Sequence, residues 1–286
     1  MKKKLLGLTV ILLATIACGS TSPATQASQP DINVIVAETF QALTANAPAA
    51  TAAPQDNGQL TPDGTPVETA EVSFLIPNGV ANNATSSMNT NVEYPYINPS
   101  NGDMPQHAAI TLNLYSVTGT VYTPQIMIFR AEEYSQYSEL TASTITALQS
   151  FQYTDGQPLP AELDTNFTAQ THTVNFQNGH GVRYLTQVFQ SFLPVNNSDL
   201  FYYYQGMTND GKYFVQATLP INASFLPADS SPNTPVPADG IPFNPDDFQG
   251  YLNNVAAKLN ATQTYDFNPY LDALDEMIAS MQVTGF

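Results

Sequence analysis

Residues 171–219 read THTVNFQNGHGVRYLTQVFQSFLPVNNSDLFYYYQGMTNDGKYFVQATL. Residues 171–176 have the composition of a strand, and Gln177, Asn178 and Gly179 follow as a turn. Residues 181–192, 199–207 and 213–219 are three further runs rich in β-branched and aromatic side chains. Asn209, Asp210 and Gly211 stand between the last two. These residue types tolerate the positive φ that a tight hairpin demands, so the chain is expected to reverse there. The stretch about 171–219 is therefore expected to form an antiparallel meander.

The flanking sequence supplies other elements. Residues 71–77 read as a strand stopped by Pro77, Asn78 and Gly79, and 82–106 as a polar irregular segment. Residues 107–116 alternate, with Ile110, Leu112 and Leu114 on one face, and 124–129 form another short strand. In 131–150, Tyr134, Tyr137, Thr141, Ile145 and Leu148 track one helical face. Residues 220–247 form a proline-containing loop. Asn244 and Pro245 then read as an N-cap and first helical position, with Phe248, Leu252, Val255 and Leu259 as the buried stripe. A last helix is expected from near Pro269, through Leu271, Leu274, Ile278 and Met281. Strands, a helix, a meander and two helices define the α+β class: an antiparallel β-sheet with helices packed on it, sandwich-like.

Composition excludes several functions. The chain has 286 residues, 7 Lys and Arg, 24 Asp and Glu, 1 Cys and no Trp. One cysteine excludes an internal disulfide framework and a thiolate zinc cluster. The acidic excess excludes a general nucleic-acid binder, which needs a basic face. With 15 Tyr, 15 Phe and 43% hydrophobic residues, the chain is too apolar to be wholly disordered.

Lys2, Lys3 and Lys4 form a positive start, and residues 5–16 an apolar run of secretory-signal length. The run ends Thr15-Ile16-Ala17-Cys18, before Gly19-Ser20. This resembles the lipobox of bacterial lipoproteins, with Thr15 in place of the usual Leu. The resemblance implies cleavage before Cys18 and lipidation of its thiol. Residues 1–17 are then a signal peptide. Residues 18–66 are the lipidated cysteine and a flexible Ala/Pro/Thr-rich tether, with a short helix expected at 31–44. Residues 67–286 are a single globular domain. The implied location is extracytoplasmic, anchored to the cell membrane or outer membrane. Losing three lysines and no acid carries the formal charge from −17 to −20. Arg130, Arg183, Lys212 and Lys258 then face 24 acids, a composition repelled by nucleic acid and anionic headgroups.

The ending Leu274-Asp275-Glu276-Met277-Ile278-Ala279-Ser280-Met281-Gln282-Val283 is similar to the terminal helix and strand of PsbP/Mog1-like domains. Gly181-Val182-Arg183-Tyr184 and Asp210-Gly211-Lys212-Tyr213 are compatible with that likeness. It implies helices on a sheet and carries no active site with it.

Catalytic signals are sparse. His107, His172 and His180 lie far apart in sequence, with no Gly-x-Ser-x-Gly elbow and no Ser-x-x-Lys beside them. Histidine spacing gives no zinc motif. The loop acids Asp199, Asp210, Asp229, Asp239, Asp246 and Asp247 follow no EF-hand spacing and read as turn chemistry. No cofactor is expected. Arg130 and Arg183 are candidates either for holding an anionic ligand or for structural ion pairs. Residues 181, 183, 185 and 187 share one strand face, and Leu185 there implies burial, so Arg183 is expected to pair with an acid. In Phe201-Tyr202-Tyr203-Tyr204 alternate rings face opposite sides, so one or two are expected to line a surface or groove. The expected role is a membrane-anchored, non-catalytic binding or structural module of the cell envelope, with an envelope protein or a glycan as partner. The alternative is an extracellular hydrolase with an unrecognised site.

Overall fold

The meander forms as four antiparallel strands. They are β6 (Ala169–Thr173), β7 (Gly179–Thr186), β8 (Phe201–Thr208) and β9 (Tyr213–Pro220). A second meander comprises β3 (Asn83–Asn89), β4 (His107–Asn113) and β5 (Gln125–Arg130). The two join where β5 pairs antiparallel with β9, Gln125 opposite Thr218 through Arg130 opposite Tyr213. The result is a seven-stranded sheet of order β3-β4-β5-β9-β8-β7-β6. The chain is thus α+β, an antiparallel sheet with helices packed against it. The computed structural model describes residues 63–89, 104–149, 167–189, 191–231 and 233–286, within a compact unit that runs from Leu60 to Phe286.

Both faces of this sheet are covered. On the first, Ile110, Ile128, Val215, Leu219, Tyr202 and Leu185 are buried. They join one core with helices α3 (Phe248–Ala261) and α4 (Leu271–Ala279). A smaller sheet of β1 (Gly64–Glu68), β2 (Val72–Pro77) and β12 (Gln282–Val283) adds Val72, Phe74 and Ile76 to that core. On the second face, Met127, Phe129, Met207 and Phe214 pack against Tyr134, Ile145 and Leu148. These last three come from helices α1 (Ala131–Ser135) and α2 (Glu139–Gln149). All eight residues of β8 are buried as a consequence. Among the described residues, no helix is long and apolar enough to cross a membrane.

Several boundaries differ from the sequence reading. The ordered body starts before residue 67: Gly64, Thr65 and Pro66 are already paired with Pro77, Ile76 and Leu75. The tether composition hid this strand, because its outer edge needs few apolar residues. The polar segment 82–106 contains β3, most of whose side chains are exposed because it is the edge strand of the large sheet. Leu114 does not extend β4. It sits in a turn at φ 52 and is exposed.

The helix expected over 131–150 is two helices. Thr141 N donates to Ser138 Oγ at 3.0 Å, and Ser138 N donates to Thr141 Oγ1 at 3.0 Å. This reciprocal capping starts a new helix where periodicity alone predicts continuity. At α3 the cap is Asp247, whose carboxylate accepts from Gly250 N at 3.0 Å, so Asn244 and Pro245 lie outside the helix. Asn244 instead accepts from the backbone of Asp246 and Asp247. The long loop after β9 contributes β10 (Asn222–Ala223), paired with β11 (Phe267–Asn268).

Gly181 and Gly206 are register partners on neighbouring strands, and the Tyr204 ring lies over both. A Cβ at Gly206 would also approach the His180 carbonyl to 2.8 Å. The absence of two side chains thus makes room for one large ring, whose hydroxyl donates to Val174 O at 3.0 Å. Gly206→Ala should therefore destabilise the fold by about 1–3 kcal/mol, the usual range for overpacking. Thermal melting checks this, with a midpoint lowered by several degrees expected.

Candidate functional site

Arg183 lies on β7, 3% exposed, facing α4. Its Nε and Nη2 donate to Asp275 Oδ1 and Oδ2 at 3.0 and 2.9 Å, a bidentate pair. Nη1 donates to the Gln170 carbonyl. The Tyr202 hydroxyl donates to Asp275 Oδ1 at 3.0 Å, and the guanidinium carbon lies 5.9 Å from the Tyr202 ring centroid. Burial first, and then the Asp275 carboxylate, push the Tyr202 hydroxyl pKa well up, so it stays a donor. The arrangement is a polar strut between sheet and helix, with each guanidinium nitrogen engaged.

Arg130 stands where β5 enters α1, and it is half-exposed. Its Nη1 pairs with Glu133 Oε1 at 3.0 Å. Nε and Nη2 donate to the Phe286 main-chain oxygen at 3.1 and 2.8 Å, and the Phe286 ring lies 5.0 Å away. Lys212 pairs with Asp210, and Lys258 with Asp239, both at 3.3 Å. Each of the four cations in the described residues therefore has an acidic partner.

The histidines do not converge. His107, on β4, is fully buried and 4.7 Å from Phe129. Its Nδ1 lies 2.9 Å from the Pro105 carbonyl, so that nitrogen carries the proton. Its Nε2 is buried without a hydrogen-bond partner among the described residues. Burial lowers its pKa, partly offset by the bond to Pro105. His180, on β7, has Nε2 2.9 Å from Leu148 O, which ties the end of α2 to the sheet. His172 is exposed on the edge strand β6. Among the described residues, no group of three or more His, Cys, Asp or Glu side chains is placed to hold a metal.

The loop acids serve their own turns. Asp210 accepts from the Thr208 hydroxyl at 2.7 Å and Lys212 N at 3.1 Å, and these bonds lower its pKa. Asp229 accepts from the Thr234 hydroxyl and Ser231 N, with the same effect. The tyrosine run contributes no surface: Phe201, Tyr202, Tyr203 and Tyr204 are all buried, because both faces of the sheet are covered. Cys18, the signal segment and the helix expected at 31–44 lie outside the described residues.

Two surface features were not visible in the sequence. One is a groove of about 270 Å³, lined by Asn78, Gly79, Val80, Asn268, Pro269, Tyr270 and Ala273. The turn after β2 forms one wall, and the approach to α4 forms the other. Tyr270, in the groove's lining, is 59% exposed, and Tyr265 elsewhere is 62% exposed. The second feature is aromatic. Phe192, 67% exposed, lies 4.8 Å from Phe248, with Phe189 and Phe243 also against Phe248. Neither has a periodic signal, since each gathers residues from separate elements.

No family model, curated protein or solved structure matches this chain.

Arg183→Ala would leave the Asp275 carboxylate facing the sheet without its cation. The expected cost is about 3 kcal/mol, the lower end for a broken buried pair because Asp275 is 19% exposed. Arg183→Met with Asp275→Leu should recover most of that loss, since it removes both charges and their desolvation. Melting of both variants tests the strut.

His107 gives a pH dependence of known sign. Its folded pKa lies below the ordinary 6.5, so the unfolded chain binds the proton more readily. Stability should fall as pH drops below about 6.5 toward the lowered folded value. The midpoint lost between about pH 7.5 and about pH 5 should be smaller in His107→Gln than in the parent. Equal losses would show that His107 titrates normally.

Proposed function

We propose that this chain is a lipid-anchored, extracytoplasmic module that binds a partner and performs no chemistry on it. The observation that carries the reading is the separation of the reactive side chains. His107 is buried against Phe129, His180 is tied to Leu148, and His172 stands on an edge strand. Acyl, phosphoryl or glycosyl transfer needs a base beside a nucleophile or a second acid. Among the described residues, the partners of His107 and His180 are carbonyl and amide oxygens, not carboxylates. The arginines are spent on Asp275, Glu133 and Phe286.

The anchor follows from residues 1–18. The lone cysteine stands where lipid transfer requires a thiol, after a positive start and an apolar run. Each buried methylene of an acyl chain contributes about 0.8 kcal/mol, so multiple chains hold a domain at a membrane without a spanning helix. The acidic body opposes contact with anionic headgroups, which suits a module held off the surface by the segment between Cys18 and β1. The bacterial-lipoprotein resemblance and the PsbP/Mog1-like ending belong to this same proposal.

Cys18→Ser tests the anchor. In detergent phase partitioning the parent should enter the detergent phase, with an N-terminal peptide that starts at Cys18 and carries lipid mass. Cys18→Ser should keep its signal segment and lose that modification. An identical N-terminal mass pattern in both proteins would mean that the apolar segment itself is the anchor.

A further inference from the structure

The groove between the turn after β2 and the start of α4 has the chemistry of a sugar subsite, and its assignment rests on the reading of the chain as a binding module. We infer that it binds a neutral hexopyranose unit of a glycan, with the sugar ring stacked on Tyr270. The volume, about 270 Å³, suits one small ring. Tyr270, 59% exposed, is the one aromatic ring in the groove's lining among the described residues. An exposed phenol ring offers an apolar face to the axial C–H groups of a pyranose and a hydroxyl at its tip.

The polar groups of the groove are uncharged amides. Asn268 lines it, and its side chain makes no hydrogen bond with another described residue. Asn78 donates Nδ2 to Asp63 Oδ1 at 2.8 Å, which leaves its own oxygen free to accept from a hydroxyl. Asn222, the register partner of Asn268 in the β10–β11 pair, lies outside the lining and keeps a buried Oδ1 with no donor among the described residues.

Charge narrows the ligand. Each of the four cations in the described residues is paired with an acid elsewhere. The carboxylate of Asp63 stands beside Asn78, and that of Asp272 lies in the first turn of α4, bonded to Thr264 at 2.7 Å. An anionic ligand would meet repulsion and no counter-charge. Hydroxyl groups donate to amide oxygens and accept from amide nitrogens without paying for a buried charge.

Saturation-transfer NMR on the full chain in a polyoxyethylene detergent tests this, with neutral trisaccharides of glucose, galactose and N-acetylglucosamine as probes. Ring C–H protons of at least one sugar should receive saturation. Tyr270→Ala should weaken binding by about tenfold or more, while Tyr270→Phe, which keeps the ring, should retain it. Asn78→Ala is a second variant at an exposed position, and it should weaken binding with an unchanged melting midpoint. Absence of saturation for all three sugars overturns the assignment, as does a Tyr270→Ala variant that binds as the parent does. Saturation of a proline-rich peptide that Tyr270→Ala abolishes, with no sugar signal, would give the groove to a protein partner. Failure of the sugars with Cys18 lipidated removes the glycan alone. Sugar binding by a parent chain that carries no lipid mass on Cys18 removes the anchor alone.

Discussion

Burial of β8 on both faces is the constraint from which the other features follow. Its eight residues alternate between two cores, with Tyr202 and Tyr204 toward α3 and α4, and Phe201 and Tyr203 toward the opposite side. A strand in that position must find apolar cover twice, so the chain supplies layers above and below the sheet. The same constraint decides the fate of each polar group on the neighbouring strands. Arg183 on β7 lies in the layer shared with α4, where an unpaired guanidinium would be costly, and Asp275 and Tyr202 meet it there. Its attraction to Asp275 helps set where α4 sits along the sheet.

The join between β5 and β9 extends this arrangement. Two local meanders, each cheap in loop-closure entropy, are fused by one pairing of residues about ninety positions apart. That pairing places α1 and α2 over Phe129 and Phe214 and closes the second core. The C-terminal segment then ties the smaller sheet to the turn before β7. Asn178 Nδ2 donates to Val283 O at 2.7 Å, and Val283 N donates to Asn178 Oδ1 at 3.0 Å. Seven tyrosines, among them Tyr202, Tyr203 and Tyr204, are buried in this architecture, and both arginines are paired within it. The groove beside Tyr270 and the Phe192–Phe248 patch are among the features that the fold leaves to solvent.

Periodicity of two and hairpin chemistry are local, so the four strands of the long meander and the turn at Asn209–Gly211 were legible from residues 171–219. The α+β class followed from element order. The capping acid of α3, the break at Ser138 and the edge strand β3 were not separable by period. In each case a short side-chain bond or an edge position overrode the apolar pattern. Arg183 was legible as a buried cation because Leu185 shares its face, yet Asp275 could not be picked from 24 acids.

What the sequence determined alone is what depends on neighbours in the chain. That includes strand alternation, the charge imbalance, the absence of a disulfide framework and the lipobox-like end at Cys18. Tertiary structure decided which acid meets which cation and that the tyrosine run is wholly interior. It also decided that Asn78, Asn268 and Tyr270 border one groove. The reason is range: hairpins and caps act over a few residues, whereas Asn78 and Tyr270 are almost two hundred positions apart and meet because two sheets and a helix share one core.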